Sequence, residues 1–258
     1  MEYQTLLCRE EGGIGVITLN RPDVMNALDT RMRAELLHAV KTMGARARVL
    51  VMTGAGRAFC SGQDLGDASD AAELDLERVL REEYEPLLGA IYDCPVPVIA
   101  AVNGAAAGAG ANLALAADVV IASESATFIQ AFTRIGLMPD AGGTYWLPRQ
   151  VGFARAMGAA LFADRIAARE AQEWGMIWEA VPDEGFDAHW RGRAEQLAAG
   201  PTVAYRNIKS ALRSSFANDV DDQLSLEARL QAECGRSRDF REGIAAFMDK
   251  RAPDFEGR

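Results

Sequence analysis

Short apolar runs and longer stretches with helical spacing alternate through the first half of the chain. Residues 6–9 and 14–19, joined by Glu-Glu-Gly-Gly, predict a β-hairpin. Uninterrupted apolar runs predict buried strands at residues 49–52, 96–102 and 119–122. Apolar residues at helical spacing predict helices at about residues 29–43, 73–92 and 108–117, the first of them capped by Asp29.

Helical spacing dominates the second half of the chain. It predicts helices at about residues 143–151, 154–161, 168–174, 186–199, 202–215 and 221–236. Strands that alternate with helices and are followed by helices alone predict an α/β fold with a helical C-terminal region. We divide the chain into residues 1–200, which would carry the binding and catalytic site, and residues 201–258, which would form the helical region.

Composition and charge exclude several classes of function. The net charge of −10 disfavours nonspecific binding to nucleic acid or to anionic membranes, so neither is expected as a partner. The four cysteines are scattered without a CxxC pair, which predicts neither a metal site nor a disulfide framework and is typical of a reducing cytoplasm. Polar residues interrupt the most apolar region, residues 95–122, so a membrane span is not expected.

Asp140 stands out because it is the only carboxylate between Glu124 and Asp164. A lone carboxylate in apolar surroundings has its charged form disfavoured, which raises its pKa and makes it a candidate proton carrier. The sequence Pro139-Asp140-Ala141-Gly142 is also common turn chemistry, and Asp is a good helix N-cap. Local sequence leaves both interpretations open.

Two segments rich in Gly and small residues each follow a predicted strand. Residues 53–65 form a loop whose backbone N–H groups could bind anionic oxygens. Residues 103–112 lead into a helix, whose first N–H groups are unpaired and could hold an oxyanion. The structural alternatives are a tight turn for the first segment and a helix packed closely through Gly and Ala for the second. Neither segment carries a P-loop or a dinucleotide-binding motif.

Nucleophilic triads find little support in the sequence. The chain has only two histidines, His38 and His189, and both are predicted to be surface or structural residues on helices. No GxSxG motif is present. A carboxylate combined with two backbone donors is therefore the chemistry that the sequence favours.

Segments spread over essentially the whole chain resemble one known family. They are Leu19-Asn20-Arg21-Pro22, Asn26-Ala27-Leu28, the 53–54 and 59–65 segments, the 97–104 segment, Ala141-Gly142-Gly143-Thr144, Leu147-Pro148-Arg149 and the 240–247 segment. In this order and spacing they resemble the crotonase (enoyl-CoA hydratase/isomerase) superfamily. The resemblance implies a spiral of ββα repeats over residues 1–200, and a region over 201–258 that assembles homotrimers or dimers of trimers.

The resemblance also implies a site for acyl-CoA thioesters, in which coenzyme A is part of the substrate and no further cofactor is needed. The backbone N–H groups of Gln63 and Ala109 would form the oxyanion hole. The implied substrate- and CoA-binding residues are Met25, Ala27, Ser61, Gly62, Asp64, Leu65, Gly108, Phe132, Pro139, Phe247 and Lys250. Phe247 and Lys250 would contact CoA, bound either to the same chain or to a neighbouring subunit.

Departures from the family pattern narrow the expected reaction. The two glutamates of typical hydratases fall where this chain has Asn112 and Phe132, so ordinary hydration of an enoyl-CoA is not expected. Asp140 stands where family isomerases keep their base. We also expect Phe132 to exclude water and to raise the pKa of Asp140. A dehalogenase branch uses an Asp here as a nucleophile, but neither His38 nor His189 matches the histidine it requires.

Within the family, the 106–111, 137–144 and 173–178 segments are most similar to isomerases that act on ring-epoxide acyl-CoA thioesters. This similarity implies conversion of a ring-1,2-epoxide to an oxepin, together with a shift of 3-enoyl to 2-enoyl esters. The alternatives are a general enoyl-CoA hydratase/isomerase of fatty-acid oxidation and a non-catalytic homologue that binds acyl-CoA.

Overall fold

The computed structural model describes residues 2–67 and 75–258, and it shows an α/β fold built on two sheets. The larger sheet contains, in spatial order, β1 (Leu6–Glu11), β2 (Ile14–Leu19), β3 (Val49–Gly54), β5 (Val98–Val102), β7 (Val119–Ser123) and β10 (Glu179–Val181). The smaller sheet contains β4 (Ala58–Cys60), β6 (Ala105–Ala107), β8 (Thr127–Ile129) and β9 (Ile166–Ala167). The β1–β2 hairpin is antiparallel, and the later strands of the larger sheet are parallel.

Eleven helices accompany the sheets in the described part of the chain. They are α1 (Thr30–Gly44), α2 (Leu76–Val79), α3 (Glu85–Tyr92), α4 (Ala109–Leu115), α5 (Gly143–Val151), α6 (Phe153–Phe162), α7 (Ala168–Glu173), α8 (Phe186–Ala198), α9 (Thr202–Ser214), α10 (Val220–Cys234) and α11 (Arg238–Asp249). A π-helical segment, Leu80–Tyr84, joins α2 to α3. Asp29 caps α1 as predicted, because its carboxylate accepts the Met32 N–H at 2.7 Å.

The chain repeats a unit of one long strand, one short strand and a helix. β3 and β4 begin one such unit, β5 and β6 the next, and β7 and β8 another, so each long strand is followed by a short strand in the smaller sheet. The register Val51↔Ile99 and Ala101↔Ile121 aligns the ends of successive long strands. The spiral of ββα repeats implied by the resemblance is thereby confirmed. The loops that leave the long strands meet beside the smaller sheet.

Helices cover both faces of the larger sheet. Leu50 and Met52 face the main core, which α1 and α3 also line, whereas Val49 and Val51 face α8. All four of these side chains are fully buried. Burial on both faces explains why β3 appears in the sequence as an uninterrupted apolar run.

The sequence-based prediction missed several elements. Strands β4, β6, β8, β9 and β10 contain only two or three residues each, too few to show alternation, and α11 was also missed. Residues 105–107, predicted only to lead into a helix, form β6. Close packing through a helical glycine is confirmed at Gly110, where an added Cβ would lie 2.3 Å from the Cys60 carbonyl oxygen.

The helix predicted at residues 73–92 differs from the structure in two ways. Its predicted first residue, Glu73, lies outside the described residues, and the helix is described from Leu76 onward. Its middle turn is π-helical over Leu80–Tyr84. Apolar spacing does not reveal that local widening, because a single five-residue turn shifts the pattern by only one position.

Arg48, near the start of β3, is one of the residues that tie the C-terminal region to the sheet. The Arg48 guanidinium donates to the Gly200 carbonyl at 2.6 Å and to the Phe255 carbonyl at 3.0 Å. The division of the chain at residue 200 stays a prediction. All four cysteines are free. Among the described helices, none is long and apolar enough to cross a membrane.

Candidate active site

The first candidate donor lies in the loop that follows β4. Leu28 pairs with this loop: its N–H donates to the Gly62 carbonyl at 2.8 Å, and its carbonyl accepts the Asp64 N–H at 3.1 Å. In a parallel bridge of this kind, the N–H of the residue between the two partners points to the opposite side. The N–H of Gln63 is therefore directed away from Leu28.

The second candidate donor is the first residue of α4, and it lies against the same loop. An added Cβ on Gly62 would be 3.4 Å from the Ala109 nitrogen and 2.7 Å from the Ala107 carbonyl oxygen. Gly62 also has a φ of +98°, so glycine is required here for both space and conformation. Within residues 2–67 and 75–258, neither the Gln63 nor the Ala109 N–H donates a hydrogen bond. Two free donors on touching loops can serve one oxyanion.

Asp140 sits in a tight backbone turn that leads into α5. Its carbonyl accepts the Gly143 N–H at 2.8 Å, and the two central residues have positive φ, +46° at Ala141 and +81° at Gly142. The N-cap of α5 is Gly142, and no side chain caps the helix. The turn interpretation of the sequence is therefore confirmed, whereas the prediction that the Asp140 carboxylate caps the helix is wrong.

The carboxylate of Asp140 is largely buried. Burial raises the pKa of Asp140 from 3.8 to about 6, and a hydrogen bond from its own backbone N–H opposes the shift only weakly. The group is thus ionised at neutral pH but close enough to its pKa to carry a proton in either direction. Phe132 is buried, with its ring 3.8 Å from where a Cβ on Gly108 would be. It forms an apolar wall beside the start of α4, and its effect on the pKa of Asp140 stays a prediction.

Asn112, which the resemblance places at one of the hydratase glutamate positions, has both ends of its amide used structurally. Its Nδ2 donates to the Asp140 carbonyl at 2.8 Å, and its Oδ1 accepts from Gln130 Nε2 at 2.8 Å. The side chain is fully buried. An added Cβ on Gly143 would lie 2.4 Å from the Asn112 Nδ2. Asn112 therefore fastens the turn that carries Asp140, and it cannot act as a base.

The 25–28 segment brings further predicted binding residues to the loop. Met25 is partly exposed with a φ of +53°, and its carbonyl accepts the Ser61 N–H at 3.0 Å. Asn26 is fully buried and donates to the Ala58 carbonyl at 2.8 Å. The buried Asn26 amide satisfies backbone groups of the neighbouring segment. Its hydrogen bonds help to hold residues 25 and 26 in their positive-φ conformation.

The structure brings most of the remaining predicted binding residues to the same region. Ala27 and Pro139 are buried, Asp64 pairs with Arg21 at 2.8 Å, and Leu65 is about half exposed. Phe247 and Lys250 are exposed at the end of α11. Phe247 lines a cavity of about 850 Å³ between α9, α10 and α11, and no other predicted site residue lines it in the described chain. Within one chain, the structure does not bring these two residues to the site.

Sequence reasoning missed the residues that hold the Gln63 side chain. Gln63 Oε1 accepts from the Tyr84 hydroxyl at 2.7 Å and from Arg33 Nη1 at 2.9 Å. One signal was available: Arg33 shares a helical face with Leu36 and Val40, where a charged residue is out of place. Tyr84 gave no comparable signal, because its partner lies 21 residues earlier in the chain.

The two histidines lie outside this site, as predicted. His38 Nδ1 is hydrogen bonded to the Tyr3 hydroxyl at 2.9 Å on an exposed surface. His189 Nε2 contacts a Glu179 carboxylate oxygen at 2.8 Å. Each histidine has a structural partner.

The raised pKa of Asp140 predicts a pH-dependent effect of Asp140→Asn on stability. The folded protein binds this proton more tightly than the unfolded chain, so the wild type loses stability as the pH rises from about 4 to about 6 and does not regain it above. Asp140→Asn has no ionisable group at this position, so its stability does not decrease in this way. Its Tm should match the wild type near pH 4 and exceed it by roughly 2–4 °C at pH 7.5.

Thermal unfolding followed by circular dichroism across this pH range would check the prediction, with Asp183→Asn as a control. A hydrogen bond from the Ser123 hydroxyl holds the pKa of Asp183 below its usual range, so the wild type gains stability as this carboxyl ionises, and Asp183→Asn should become less stable relative to the wild type as the pH rises. A Tm difference for Asp140→Asn that does not change with pH would contradict the assigned burial of the carboxylate.

Comparison with known proteins agrees with this geometry. The family model for enoyl-CoA hydratase/isomerase matches residues 9–258. A Rhodobacter capsulatus protein named probable enoyl-CoA hydratase is 64% identical over 100% of both chains. The 1,2-epoxyphenylacetyl-CoA isomerase of Escherichia coli K12 is 45% identical, again over 100% of both chains.

Solved structures give the same result for the fold. An enoyl-CoA hydratase subunit I from Geobacillus kaustophilus superposes with a TM-score of 0.93 at 35% identity, and it covers 100% of both chains. An enoyl-CoA hydratase from Bacillus anthracis superposes with a TM-score of 0.91 at 33% identity, over 99% of this chain and 100% of the other.

Proposed function

The chain belongs to the enoyl-CoA hydratase/isomerase family, and on that premise we propose that it is an acyl-CoA isomerase of phenylacetate catabolism. It would convert ring-1,2-epoxyphenylacetyl-CoA to oxepin-CoA and would also shift 3-enoyl-CoA to 2-enoyl-CoA esters. The observation that carries the proposal is that Asp140, with its raised pKa, is retained while Asn112 is committed to structure. The 45% identity to the Escherichia coli isomerase supports the choice of substrate.

The proposed mechanism is proton transfer at the carbon next to the thioester. The thioester oxygen accepts from the N–H groups of Gln63 and Ala109, which stabilise the negative charge that develops as Asp140 removes a proton from C2. Each such donor typically contributes on the order of 10²–10³ in rate. Protonated Asp140 then returns the proton further along the conjugated system, so the reaction consumes no co-reactant. In the epoxide reaction the same enolate chemistry would assist ring opening and expansion.

A hydratase is the second candidate, because the 64% identical relative carries that name. Hydration needs a group that activates water. At the two expected hydratase positions this chain has Asn112, whose amide makes one structural hydrogen bond at each end, and Phe132, an apolar ring. These two residues favour the isomerase. The third alternative, a non-catalytic homologue, is disfavoured by the free donors and the raised pKa of Asp140.

The proposal includes coenzyme A bound along the 25–27 and 61–65 segments as part of the substrate, with no separate cofactor. It also includes assembly as a homotrimer or a dimer of trimers through residues 201–258. Support comes from large apolar side chains that are exposed on the last three helices of the isolated chain: Ile208, Leu212, Leu224, Phe240, Ile244 and Phe247. Phe247 and Lys250 would then reach the CoA of a neighbouring subunit. Four free cysteines favour a cytoplasmic enzyme.

Asp140→Asn tests the proposed base directly. We expect kcat for isomerisation to fall by roughly 10²–10⁴, the usual contribution of a general acid–base group, while the Kd for acyl-CoA stays within about threefold. In the wild type, kcat/KM should rise with pH to a plateau above about pH 6, because the carboxylate must be ionised to accept the proton. Stopped-flow rates and equilibrium titration would check both. Activity within a few-fold of the wild type would show that Asp140 is not the base.

A substrate panel separates the candidate reactions. The enzyme should turn over ring-1,2-epoxyphenylacetyl-CoA and 3-enoyl-CoA esters, and it should leave crotonyl-CoA unhydrated, since no described side chain at the hydratase positions can activate water. Loss of enoyl absorbance with crotonyl-CoA and chromatography of the other products would be measured. Rapid hydration of crotonyl-CoA would favour the hydratase instead.

The assembly proposal predicts that charge on the α11 surface disrupts the oligomer. Phe247→Glu should shift the protein from trimer or hexamer toward monomer, because it places a charge in a buried apolar interface. Leu7→Glu is a matched control, since Leu7 is an exposed apolar residue of β1 and the charge change is the same. Sedimentation velocity would measure the masses. A monomeric wild type, or an unaffected Phe247→Glu variant, would argue against the proposal.

A further inference from the structure

We propose that Arg33 and Tyr84 are positioning residues for the oxyanion hole. They hold the side chain of Gln63 and thereby fix the backbone N–H of the same residue. The inference rests on the proposed function, because it assumes that the Gln63 N–H receives the thioester oxygen. It assigns a role to two residues that lie far apart in the sequence, meet in the fold and do not touch the reacting atoms.

The contacts converge on a single atom. Gln63 Oε1 accepts from the Tyr84 hydroxyl at 2.7 Å and from Arg33 Nη1 at 2.9 Å. Both donor residues are buried, Arg33 at 2% and Tyr84 at 4% exposure. Two hydrogen bonds to one carbonyl-type oxygen use both of its lone pairs, so the amide has one fixed orientation.

Arg33 is itself immobilised from several directions. Its guanidinium pairs with Glu83 at 2.6 Å, donates to the Leu28 carbonyl at 2.6 Å and lies 5.2 Å from the centre of the Tyr84 ring. The Leu28 carbonyl also accepts the N–H of Asp64. Arg33 therefore ties down both the side chain of Gln63 and the strand that pairs with its backbone.

The residues that contact Gln63 and Arg33 from the other side, Tyr84 and Glu83, are consecutive in the chain and belong to one unusual helical turn. Glu83 and Tyr84 are the last residues of the π-helical segment Leu80–Tyr84. Single π-helical turns inside α-helices are rare and occur frequently at functional sites. In this protein the turn places a carboxylate on Arg33 and a hydroxyl on Gln63 at the same time.

The electrostatics favour a positional role over a field effect. Glu83 neutralises the Arg33 charge within hydrogen-bonding distance. Burial raises the pKa of Tyr84, so its hydroxyl stays protonated and remains a donor throughout the neutral range. Removing the Tyr84 hydroxyl changes no charge at the site, and any loss of rate must come from the placement of Gln63.

The test uses Tyr84→Phe and acetoacetyl-CoA, an enolisable thioester whose bound enolate absorbs in the near ultraviolet. We expect the bound enolate fraction and kcat to fall about tenfold each, while KM and the Kd for coenzyme A stay within about twofold. Tyr3→Phe is the matched control, because it also removes a tyrosine hydroxyl with one 2.9 Å hydrogen bond, in that case to His38. The control should leave all these quantities unchanged.

A double-mutant cycle assigns the effect to the contact itself. Gln63→Met keeps the backbone N–H and removes Oε1, so Tyr84→Phe should cost little further rate in that background. Arg33→Lys keeps the charge but lacks the planar fork that contacts Glu83 through Nε and Nη2 while Nη1 donates to Leu28 and Gln63, and it should lower the enolate fraction in the same way. Arg33→Lys also serves if Tyr84→Phe folds poorly.

Failure of this inference is distinct from failure of the proposed function. Tyr84→Phe with unchanged enolate absorbance, or with a parallel loss of coenzyme A affinity, would overturn the positioning role. So would a wild type that stabilises no enolate. The wild type could also stabilise the enolate in a Tyr84-dependent way and yet not turn over epoxide or 3-enoyl substrates. That result would support the positioning role and contradict the proposed reaction.

Discussion

The proposed site depends on two backbone N–H groups, those of Gln63 and Ala109, which have no acceptor among the described residues and lie on touching loops. Buried N–H groups without a partner are costly, so a fold keeps them only where the surrounding structure prevents any other arrangement. Leu28 supplies that constraint for Gln63 by pairing with the residues on either side of it. Gly62 and Gly108 supply it for Ala109, because their positive φ values let the two loops approach each other. The unusual backbone here is thus the condition for the chemistry.

Side-chain hydrogen bonds, rather than strand pairing, hold the backbone that carries the Asp140 carboxylate. Asp140 lies in a turn whose carbonyl is fastened by Asn112, which is in turn held by Gln130. The backbone beneath the side chain is thereby fixed, while the carboxylate itself accepts a hydrogen bond from its own backbone N–H. The proposed role of Asp140 requires a carboxylate that exchanges protons from a fixed position, and the anchored turn meets that requirement.

The parts of the fold that the sequence predicted are those with a local cause. Asp29 caps α1 through a contact three residues away, and the apolar run of β3 reflects burial on both faces. Asp140 was found because its neighbours in sequence are apolar. The short strands of the smaller sheet were missed, because they consist of a few small residues whose pairing partners are some 20 to 50 positions away. The contact of Tyr84 with Gln63 likewise depends on tertiary structure alone.

The packing around Asn112 limits how this chain could change its chemistry over evolution. A glutamate at that position would need room for another methylene in a fully buried space that already requires a glycine at residue 143. It would also release the turn that carries Asp140 and leave the Gln130 amide without its acceptor. A change of Asn112 to glutamate alone would therefore disturb the turn that carries Asp140. No single substitution at residue 112 can therefore introduce a carboxylate there without disturbing the contacts with Asp140, Gln130 and Gly143.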